Sequence, residues 1–235
     1  MIRLFVSSPL TENAVISLDE KSYHYLVHVM RCQDQERILC FNGHDGEWIS
    51  ELKFISKKSA QLLILNLNRP QTTPEYCALC PALIKKDNLD MVLQKATELG
   101  VTDIYPILSD HTVHGHFNQE HAEAVIREAA EQCERLTLPQ LHSPMKLAEI
   151  MAHLPEACLC CCLSERHQDS DVLPKSGKIA FFIGPEGGWS EKEKLFFKNK
   201  HFKFLHFDVG ILRAETASIA ILSCWQIGRA LYSKK

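Results

Sequence analysis

Residues 179–193, IAFFIGPEGGWSEKE, combine an apolar run, a glycine-rich turn and the start of a polar helix. Five consecutive apolar residues, 179–183, are typical of a strand covered on both faces, as in a parallel α/β sheet. Ser190 followed by Glu193 is a capping-box pattern, which predicts that a helix begins there. Because ligands bind beyond the carboxyl ends of parallel strands, the turn at residues 184–188 is a candidate binding loop.

The glycines of this turn have two explanations. Either the chain needs them only to turn tightly, or they let backbone N–H groups cradle a small molecule with Glu186 at the mouth. The phosphate-binding patterns G-x-G-x-x-G and G-x-x-x-x-G-K-[ST] do not occur in the chain. The loop therefore does not follow the pattern of a common nucleotide-binding fold.

Composition limits the possible partners. The net charge of −3 gives no global basic field, so any RNA contact must come from a local patch. No apolar segment approaches transmembrane length and the start lacks a signal-peptide pattern, so we expect a cytoplasmic protein without a membrane partner.

The cysteines and histidines suggest a metal site only weakly. Four of the ten cysteines fall inside the apolar run 157–163, which favours a buried strand over a ligand cluster. Residues 111–116, HTVHGH, either bind a metal or form an exposed loop, and the loop is the preferred interpretation. We predict no metal and reduced thiols.

The pattern of secondary structure changes near residue 70. The first part is β-rich, with one helix that begins near Asp19 and carries Tyr23, Leu26, Val27 and Met30 at helical spacing. Its predicted strands are 3–6, 15–18, 37–41, 48–55 and 60–67. Several short strands with one helix favour a small barrel, which we assign to residues 1–70, followed by a proline-containing linker.

The second part, residues 71–235, alternates strands and helices. Its predicted strands are 77–84, 102–107, 157–163, 179–183 and 202–207. Its predicted helices are 88–99, 118–135, 145–154, one after Ser190, and 216–232. Such alternation implies a mainly parallel sheet flanked by helices.

A second loop joins strand 202–207 to the last helix and contains Arg213 and Glu215. Two successive strand–loop–helix units are expected to bring this loop beside residues 184–188. In isolation, an R-x-E pair is usually a surface ion pair of small energy. Next to a ligand-binding loop, a functional role for Arg213 and Glu215 is favoured more than it would be for an isolated pair.

Five segments in order carry a family resemblance: HYLVHVMR (24–31), QKATELGV (94–101), EAAEQCER (128–135), IGPEGGWSEKE (183–193) and ILRAETA (211–217). The chain resembles the bacterial 16S ribosomal RNA uridine N3-methyltransferases, the RsmE-type branch of the SPOUT superfamily. The resemblance spans nearly the whole chain. It implies an α/β fold, with a SPOUT trefoil-knot methyltransferase domain after an amino-terminal PUA-like β-barrel that binds RNA.

The resemblance also implies S-adenosyl-L-methionine as cofactor, held bent by three loops. The corresponding residues here are Leu163, Ser164 and Glu165; Ile183, Gly184, Pro185, Glu186, Gly187 and Gly188; and Phe207, Val209, Gly210, Ile211, Leu212 and Arg213. It further implies a homodimer formed through the knotted domain, and 16S rRNA of the small ribosomal subunit as substrate.

Methylation of uridine N3 sets chemical requirements. N3 carries a proton at neutral pH, so a general base or a cation that stabilises the uracil anion is needed. Glu186 and Glu215 are candidates for the base, and Arg213 is a candidate for the cation or for a phosphate contact. Trp189 either holds the flipped uracil or packs its own loop.

Basic side chains are the candidate RNA contacts. Arg3 and Arg31 in the first part, with Lys85 and Lys86 in the second, are predicted to bind phosphate. The alternative is a solvated surface of mixed charge.

One segment departs from the family pattern. The family reads close to L-G-x-R before I-L-R-x-E-T-A, whereas this chain has Phe207, Asp208, Val209 and Gly210. Asp208 in place of glycine is expected to change the path of the loop and the affinity for the cofactor. The alternative to an enzyme is therefore an RNA-binding or assembly factor that has kept the fold and lost turnover.

Overall fold

The computed structural model describes residues 1–56, 58–113, 117–164, 172–173 and 176–232. Contacts between residues divide the chain into two compact units. The amino-terminal unit comprises Met1–Thr73 and Ala130–Leu138. The carboxyl-terminal unit comprises Pro74–Ala129 and Pro139–Lys235.

A five-stranded sheet forms the centre of the amino-terminal unit. Its strands are β1 (Arg3–Phe5), β2 (Val15–Ser17), β3 (Arg37–Phe41), β4 (Glu47–Ser56) and β5 (Ser59–Arg69), in the order β1-β3-β4-β5-β2. Inward-facing side chains from all five strands, among them Leu4, Ile16, Ile38, Leu52 and Leu62, meet in one buried cluster. The sheet therefore curls around its own core, in agreement with the predicted barrel-like form.

The predicted helix after Asp19 is divided into an α-helical segment and a π-helical segment. The Asp19 side chain accepts a hydrogen bond from the Ser22 backbone N–H and so caps helix α1 (Glu20–His24). A π-helical segment, Tyr25–Val29, follows at once, and the Met30 N–H donates to the Tyr25 carbonyl. The wider turn changes the direction of each side chain, so only Leu26 of the predicted apolar stripe is buried.

Arg3 has a structural role rather than the predicted RNA contact. Its side chain is 4% exposed, and its Nε donates to the Glu47 carboxylate at 2.7 Å. Its other nitrogens donate to the carbonyls of Ala130, Glu131 and Arg135 within the same unit. A guanidinium with these partners is not available to phosphate, which corrects the prediction for Arg3.

A six-stranded parallel sheet forms the centre of the carboxyl-terminal unit. Its strands are β6 (Cys77–Pro81), β7 (Asp103–Ile104), β8 (Gln140–Leu141), β9 (Leu159–Leu163), β10 (Ile179–Ile183) and β11 (Lys203–Leu205). The helices of this part of the chain are α2 (Lys86–Glu98), α3 (Gln119–Gln132), α4 (Leu147–His153), α5 (Glu191–Asn199) and α6 (Ala214–Tyr232). Helix α3 belongs to this unit as far as Ala129, and its remaining residues are counted with the amino-terminal unit. The alternation predicted from the sequence is confirmed, and β8 is the strand that the prediction missed.

The predicted strand 102–107 is reduced to two residues because Pro106 interrupts its pairing. Proline has no N–H to donate to a neighbouring strand. Ile107, beyond the proline, still forms isolated bridges to Ala82 and Met145. The Tyr105 and Ile107 N–H groups still donate to carbonyls of β6, so the polypeptide continues beside that strand past the proline.

The order of the sheet, β11-β9-β10-β6-β7-β8, differs from the expected placement of the two loops. β10 pairs with β6 on one side and β9 on the other, and all five of its residues are buried. β9 therefore lies between β10 and β11, so these two strands are not neighbours, although the loops that follow them line the same cavity. The chain segment that follows β9 consequently leaves the sheet between these two loops.

The cysteine-rich segment forms a buried strand, as predicted. Cys160, Cys161 and Cys162 lie in β9, and Cys162 is 1% exposed. Burial raises the pKa of the Cys162 thiol. All ten cysteines are free.

Candidate cofactor site

Three loops meet at the carboxyl ends of the neighbouring strands β9, β10 and β11. They are the β9 loop (residues 163–164), the glycine loop (184–188) and the β11 loop (207–213). Between them lies a cavity of about 480 Å³. It is lined by Leu163, Ser164, Ile183, Gly184, Pro185, Glu186, Gly187, Gly188, Trp189, Lys194, Leu205, His206, Phe207, Gly210, Ile211, Leu212, Arg213, Ala214 and Ala217.

Most of the predicted cofactor residues thus lie around one cavity. Val209 is the exception among the described residues, because it is 71% exposed and does not line the cavity. Glu165 lies outside the described residues. The sequence missed Lys194, Leu205, His206, Ala214 and Ala217 as lining residues.

The glycine loop is a tight turn closed by a hydrogen bond from the Gly188 N–H to the Pro185 carbonyl, 2.8 Å long. Gly188 has φ +68°, a left-handed conformation that favours glycine. A Cβ on Gly184 would come within 3.1 Å of the Trp189 indole. Glycine is therefore favoured at position 188 by the backbone angle and at position 184 by the close approach of the Trp189 ring.

Trp189 packs into the core of this unit. Its residue surface is 9% exposed, and its ring meets Phe197 edge to face with the centroids 4.9 Å apart. It also contributes to the cavity wall. These contacts favour the interpretation that Trp189 packs its own loop.

Two histidines connect the site in a way that the sequence did not reveal. His206, which directly precedes the β11 loop, lines the cavity, and its Nδ1 lies 3.1 Å from the Ser164 carbonyl in the β9 loop. His111 Nδ1 lies 3.0 Å from both the Gly187 and Gly188 carbonyls. No local pattern connects positions 111 and 187, since the contact depends on how the strands are ordered.

Residues 109–112, which we call the clamp, are joined to the start of α5. The Asp110 N–H donates to the Glu193 carboxylate at 3.0 Å, and the Ser190 hydroxyl donates to the Asp110 carboxylate at 2.6 Å. The predicted capping box is confirmed, because Ser190 and Glu193 also bond reciprocally. Glu193 is buried, and its carboxylate accepts hydrogen bonds from the backbone N–H groups of Asp110 and Ser190.

The three predicted catalytic residues occupy different environments. Glu186 and Arg213 are exposed and line the cavity. Within the described residues, the Arg213 guanidinium has no ion pair or hydrogen bond. Glu215 is 7% exposed and does not line the cavity, and its Oε2 has no hydrogen-bond partner in the described part of the chain.

The remaining predicted RNA contacts are on the surface. Arg31, in the amino-terminal unit, is exposed and has φ +57°. Lys85 and Lys86, in the carboxyl-terminal unit, are also exposed. The Lys86 ammonium lies 2.7 Å from the Asp90 carboxylate and forms an ion pair with it. No ion pair of Lys85 is found within the described residues.

Neither a metal cluster nor a membrane-spanning helix is present among the described residues. There, no group of three His, Cys, Asp or Glu side chains is arranged to hold a metal ion. His114 and His116 of the histidine-rich segment lie outside those residues. No described helix is long and apolar enough to cross a membrane.

Relatives match the chain over more than nine tenths of its length. Ribosomal RNA small subunit methyltransferase E of Rickettsia conorii is 29% identical over 227 residues, which cover 94% of this chain and 93% of that protein. The protein of the same name from Bacillus subtilis is 25% identical over 91% of this chain and 90% of its own length.

Solved structures match the fold equally broadly. Ribosomal RNA small subunit methyltransferase E from Neisseria gonorrhoeae, bound to S-adenosyl methionine, superposes with a TM-score of 0.86 at 27% identity and covers 97% of each chain. A Legionella pneumophila methyltransferase with bound cofactor SAM also gives 0.86, at 26% identity over 96% of this chain and 97% of its own.

Two family models match the chain in succession. The model of the RNA methyltransferase PUA domain matches residues 18–65. The model of the RNA methyltransferase domain matches residues 71–226, which contain all three loops of the cavity. This protein therefore belongs to the RNA methyltransferase family, with a PUA domain preceding its methyltransferase domain.

Proposed function

We propose that this protein uses S-adenosylmethionine to methylate N3 of a uridine in 16S ribosomal RNA of the small ribosomal subunit. The observation that carries the proposal is the cavity between the β9, glycine and β11 loops, which lies within the matched methyltransferase domain. Relatives that span the chain are named as small subunit ribosomal RNA methyltransferases, and two similar structures hold this cofactor.

The cavity suits a molecule of the cofactor's size and mixed polarity. Its volume of about 480 Å³ lies in the range of small-molecule sites, roughly 300–1,000 Å³. Apolar side chains such as Leu163, Leu205 and Ile211 supply walls for an adenine ring, and the loop backbones supply polar groups. S-adenosylmethionine, when bound, supplies a methyl group attached to a positively charged sulfur.

Glu186 and Arg213 are the side chains that we assign to the uracil. Glu186 is exposed at the cavity and is our candidate for the base that takes the N3 proton. Arg213, without an ion pair among the described residues, is our candidate for stabilising the resulting uracil anion. The burial of Glu215 favours a supporting role at the first turn of α6 over proton transfer.

RNA binding is assigned to both parts of the chain. The PUA match supports an RNA-binding role for the amino-terminal part, for which we retain the boundary near residue 70. Arg31, Lys85 and Lys86 remain our candidates for phosphate contacts because all three are exposed. Since the substrate is ribosomal RNA, we propose a cytoplasmic location.

We also propose a homodimer formed through the carboxyl-terminal unit. Helix α6 exposes Cys224, Ile227 and Leu231 at spacings of three and four residues, so they lie on one face. Ile227 is 57% exposed and Leu231 is 69% exposed. An apolar stripe of this kind supports a helix-mediated contact between two copies.

Nucleoside mass spectrometry tests the activity directly. Small subunit RNA from cells lacking this protein is treated with purified protein and cofactor, digested and measured. We expect N3-methyluridine to appear only with both present. A methylated product other than N3-methyluridine would contradict the substrate, and absence of any product would favour the non-catalytic assembly factor.

Arg213→Ala tests the assignment of the cation. We expect single-turnover methylation to fall by about a hundredfold or more, as on loss of one charge-stabilising donor. Cofactor affinity, measured by calorimetry, should change by less than about threefold. Equal losses of methylation and affinity would make Arg213 a brace of the β11 loop instead.

A further inference from the structure

We propose that His111 is a positioning residue for cofactor binding, because its imidazole fixes the Gly187 and Gly188 carbonyls from outside the three loops of the cavity. The inference rests on the proposed function and adds a fourth segment to the site. His111 does not line the cavity, so its influence must act through the glycine loop.

The partners of His111 determine where its proton lies. Both atoms at 3.0 Å from Nδ1 are carbonyl oxygens, which only accept hydrogen bonds. Nδ1 must therefore carry the hydrogen and donate to both. This donor persists whether the imidazole is neutral or positively charged, so it does not require a particular protonation state.

The two hydrogen bonds set the orientation of two peptide units. Because a trans peptide is planar, its N–H points away from its C=O. With the Gly187 carbonyl directed at His111, the Gly188 N–H is directed the opposite way, where it donates to Pro185 and closes the turn. With the Gly188 carbonyl also directed at His111, the Trp189 N–H likewise points away from the imidazole.

The clamp gives His111 a fixed base. Ser109 and Thr112 bond to each other through their hydroxyls at 2.9 Å, and the Ser109 N–H also donates to the Thr112 hydroxyl. Asp110 is tied to Ser190 and Glu193 at the start of α5. His111 therefore holds the last two residues of the glycine loop, and the clamp that carries it is tied to the helix cap that follows the loop.

Close packing at Gly187 supports the same conclusion. A Cβ on Gly187 would lie 3.2 Å from the His111 Cβ, a contact tight enough that His111 would have to move by a few tenths of an ångström. The clamp and the glycine loop thus fit together at the level of the backbone. Loss of the imidazole would leave two carbonyls to water and free the loop to adopt other turns.

The test compares His111→Ala with His111→Asn by calorimetric titration of S-adenosylmethionine. The asparagine amide nitrogen can occupy a position close to that of Nδ1 and donate from it, whereas alanine cannot. We expect His111→Ala to weaken affinity by about tenfold, the effect of losing roughly one net hydrogen bond, and His111→Asn to stay within about threefold of the wild type. Val113→Ala, at an 83% exposed residue of the same segment, is the matched control and should bind normally.

A kinetic measurement separates positioning from general loss of structure. His111→Ala should raise the KM for the cofactor, while the KM for RNA and kcat at saturating cofactor stay within about threefold. Normal affinity in His111→Ala, or equal weakening in His111→Ala and His111→Asn, would overturn the proposal. Failure of the wild type to bind S-adenosylmethionine would instead contradict the proposed function. If His111→Ala does not fold, the proposal stands or falls on whether His111→Asn retains wild-type affinity.

Discussion

The buried Glu47 carboxylate of the amino-terminal unit is matched by several partners. Glu47 in β4 is 1% exposed and accepts hydrogen bonds from Arg3, Arg69 and Asn68. Burial alone would raise the pKa of this carboxyl, but the bonds from Arg69, Arg3 and Asn68 outweigh burial and lower it to about 2. The ionised form is therefore the one that the folded amino-terminal unit requires.

Replacing Glu47 by Gln should destabilise the amino-terminal unit by about 3 kcal/mol, because it leaves the buried Arg3 guanidinium without its counter-charge. Hydrogen exchange measured by mass spectrometry should increase in β3, β4 and β5 and stay unchanged in β9 and β10. Glu51→Gln on the same strand is the control, since Glu51 makes only a partly exposed pair with Lys53 at 3.7 Å. Equal effects of the two changes would contradict the assigned role of Glu47.

Acid should weaken the same network in a defined direction. The folded-state pKa of Glu47, about 2, lies below its ordinary value of 4.5, so its contribution is complete above pH 4.5 and is lost as pH falls toward 2. The full contribution is about 3 kcal/mol from this difference. Denaturation of the wild type at pH 6 and pH 3 should show part of this loss, and Glu47→Gln should show less. An unchanged pH dependence in the variant would contradict the shift.

At the level of elements, the start of α5 is a junction as well as a helix cap. Ser190 accepts from the Glu193 N–H as an N-cap and donates its own hydroxyl hydrogen to Asp110 in the clamp. The same side chain thus stabilises the helix and attaches it to a loop eighty positions earlier in the sequence.

Ser190→Ala should lower the free energy of unfolding by about 1–2 kcal/mol, through loss of the cap and of the bond to Asp110. Ser190→Thr retains both hydroxyl functions and should stay within about 0.5 kcal/mol of the wild type. Urea denaturation measures both. Ser190→Asp offers a further contrast, since it retains a capping acceptor but faces the Asp110 carboxylate. If Ser190→Asp were as stable as wild type, the bond to Asp110 would have no energetic weight.

For the whole molecule, the exposed stripe on α6 is the feature that a monomer leaves unexplained. Ile221, Leu222 and Trp225 of the same helix are buried, so α6 carries apolar side chains on more than its inward side. Covering the outer residues with a second copy would remove them from water.

Ile227→Glu should therefore shift the protein toward a monomer of 26.8 kDa, whereas the wild type should have twice that mass. The charge would have to be buried against an apolar surface, which is unfavourable. Light scattering after size-exclusion chromatography measures the mass. Leu195→Glu on α5 is the control, because Leu195 is 58% exposed but lies on another helix. A monomeric wild type, or dissociation by Leu195→Glu alone, would contradict the proposed interface.

The sequence by itself determined the local elements and the identity of the loops. The uninterrupted apolar run of β10, the Ser190 and Glu193 cap and the alternation of strands with helices all follow from short-range patterns of side chains. The family resemblance predicted three cofactor loops at specific residues, nearly all of which surround one cavity.

Only the tertiary structure decided the contacts between residues that are far apart in the sequence. The insertion of β9 between β10 and β11, the burial of Arg3 against Glu47, and the contact of His111 with the glycine loop join residues far apart in sequence. A periodic pattern reports whether a side chain faces inward, since burial depends on spacing along one element. It does not report which element lies opposite, because that choice belongs to the packing of the whole chain.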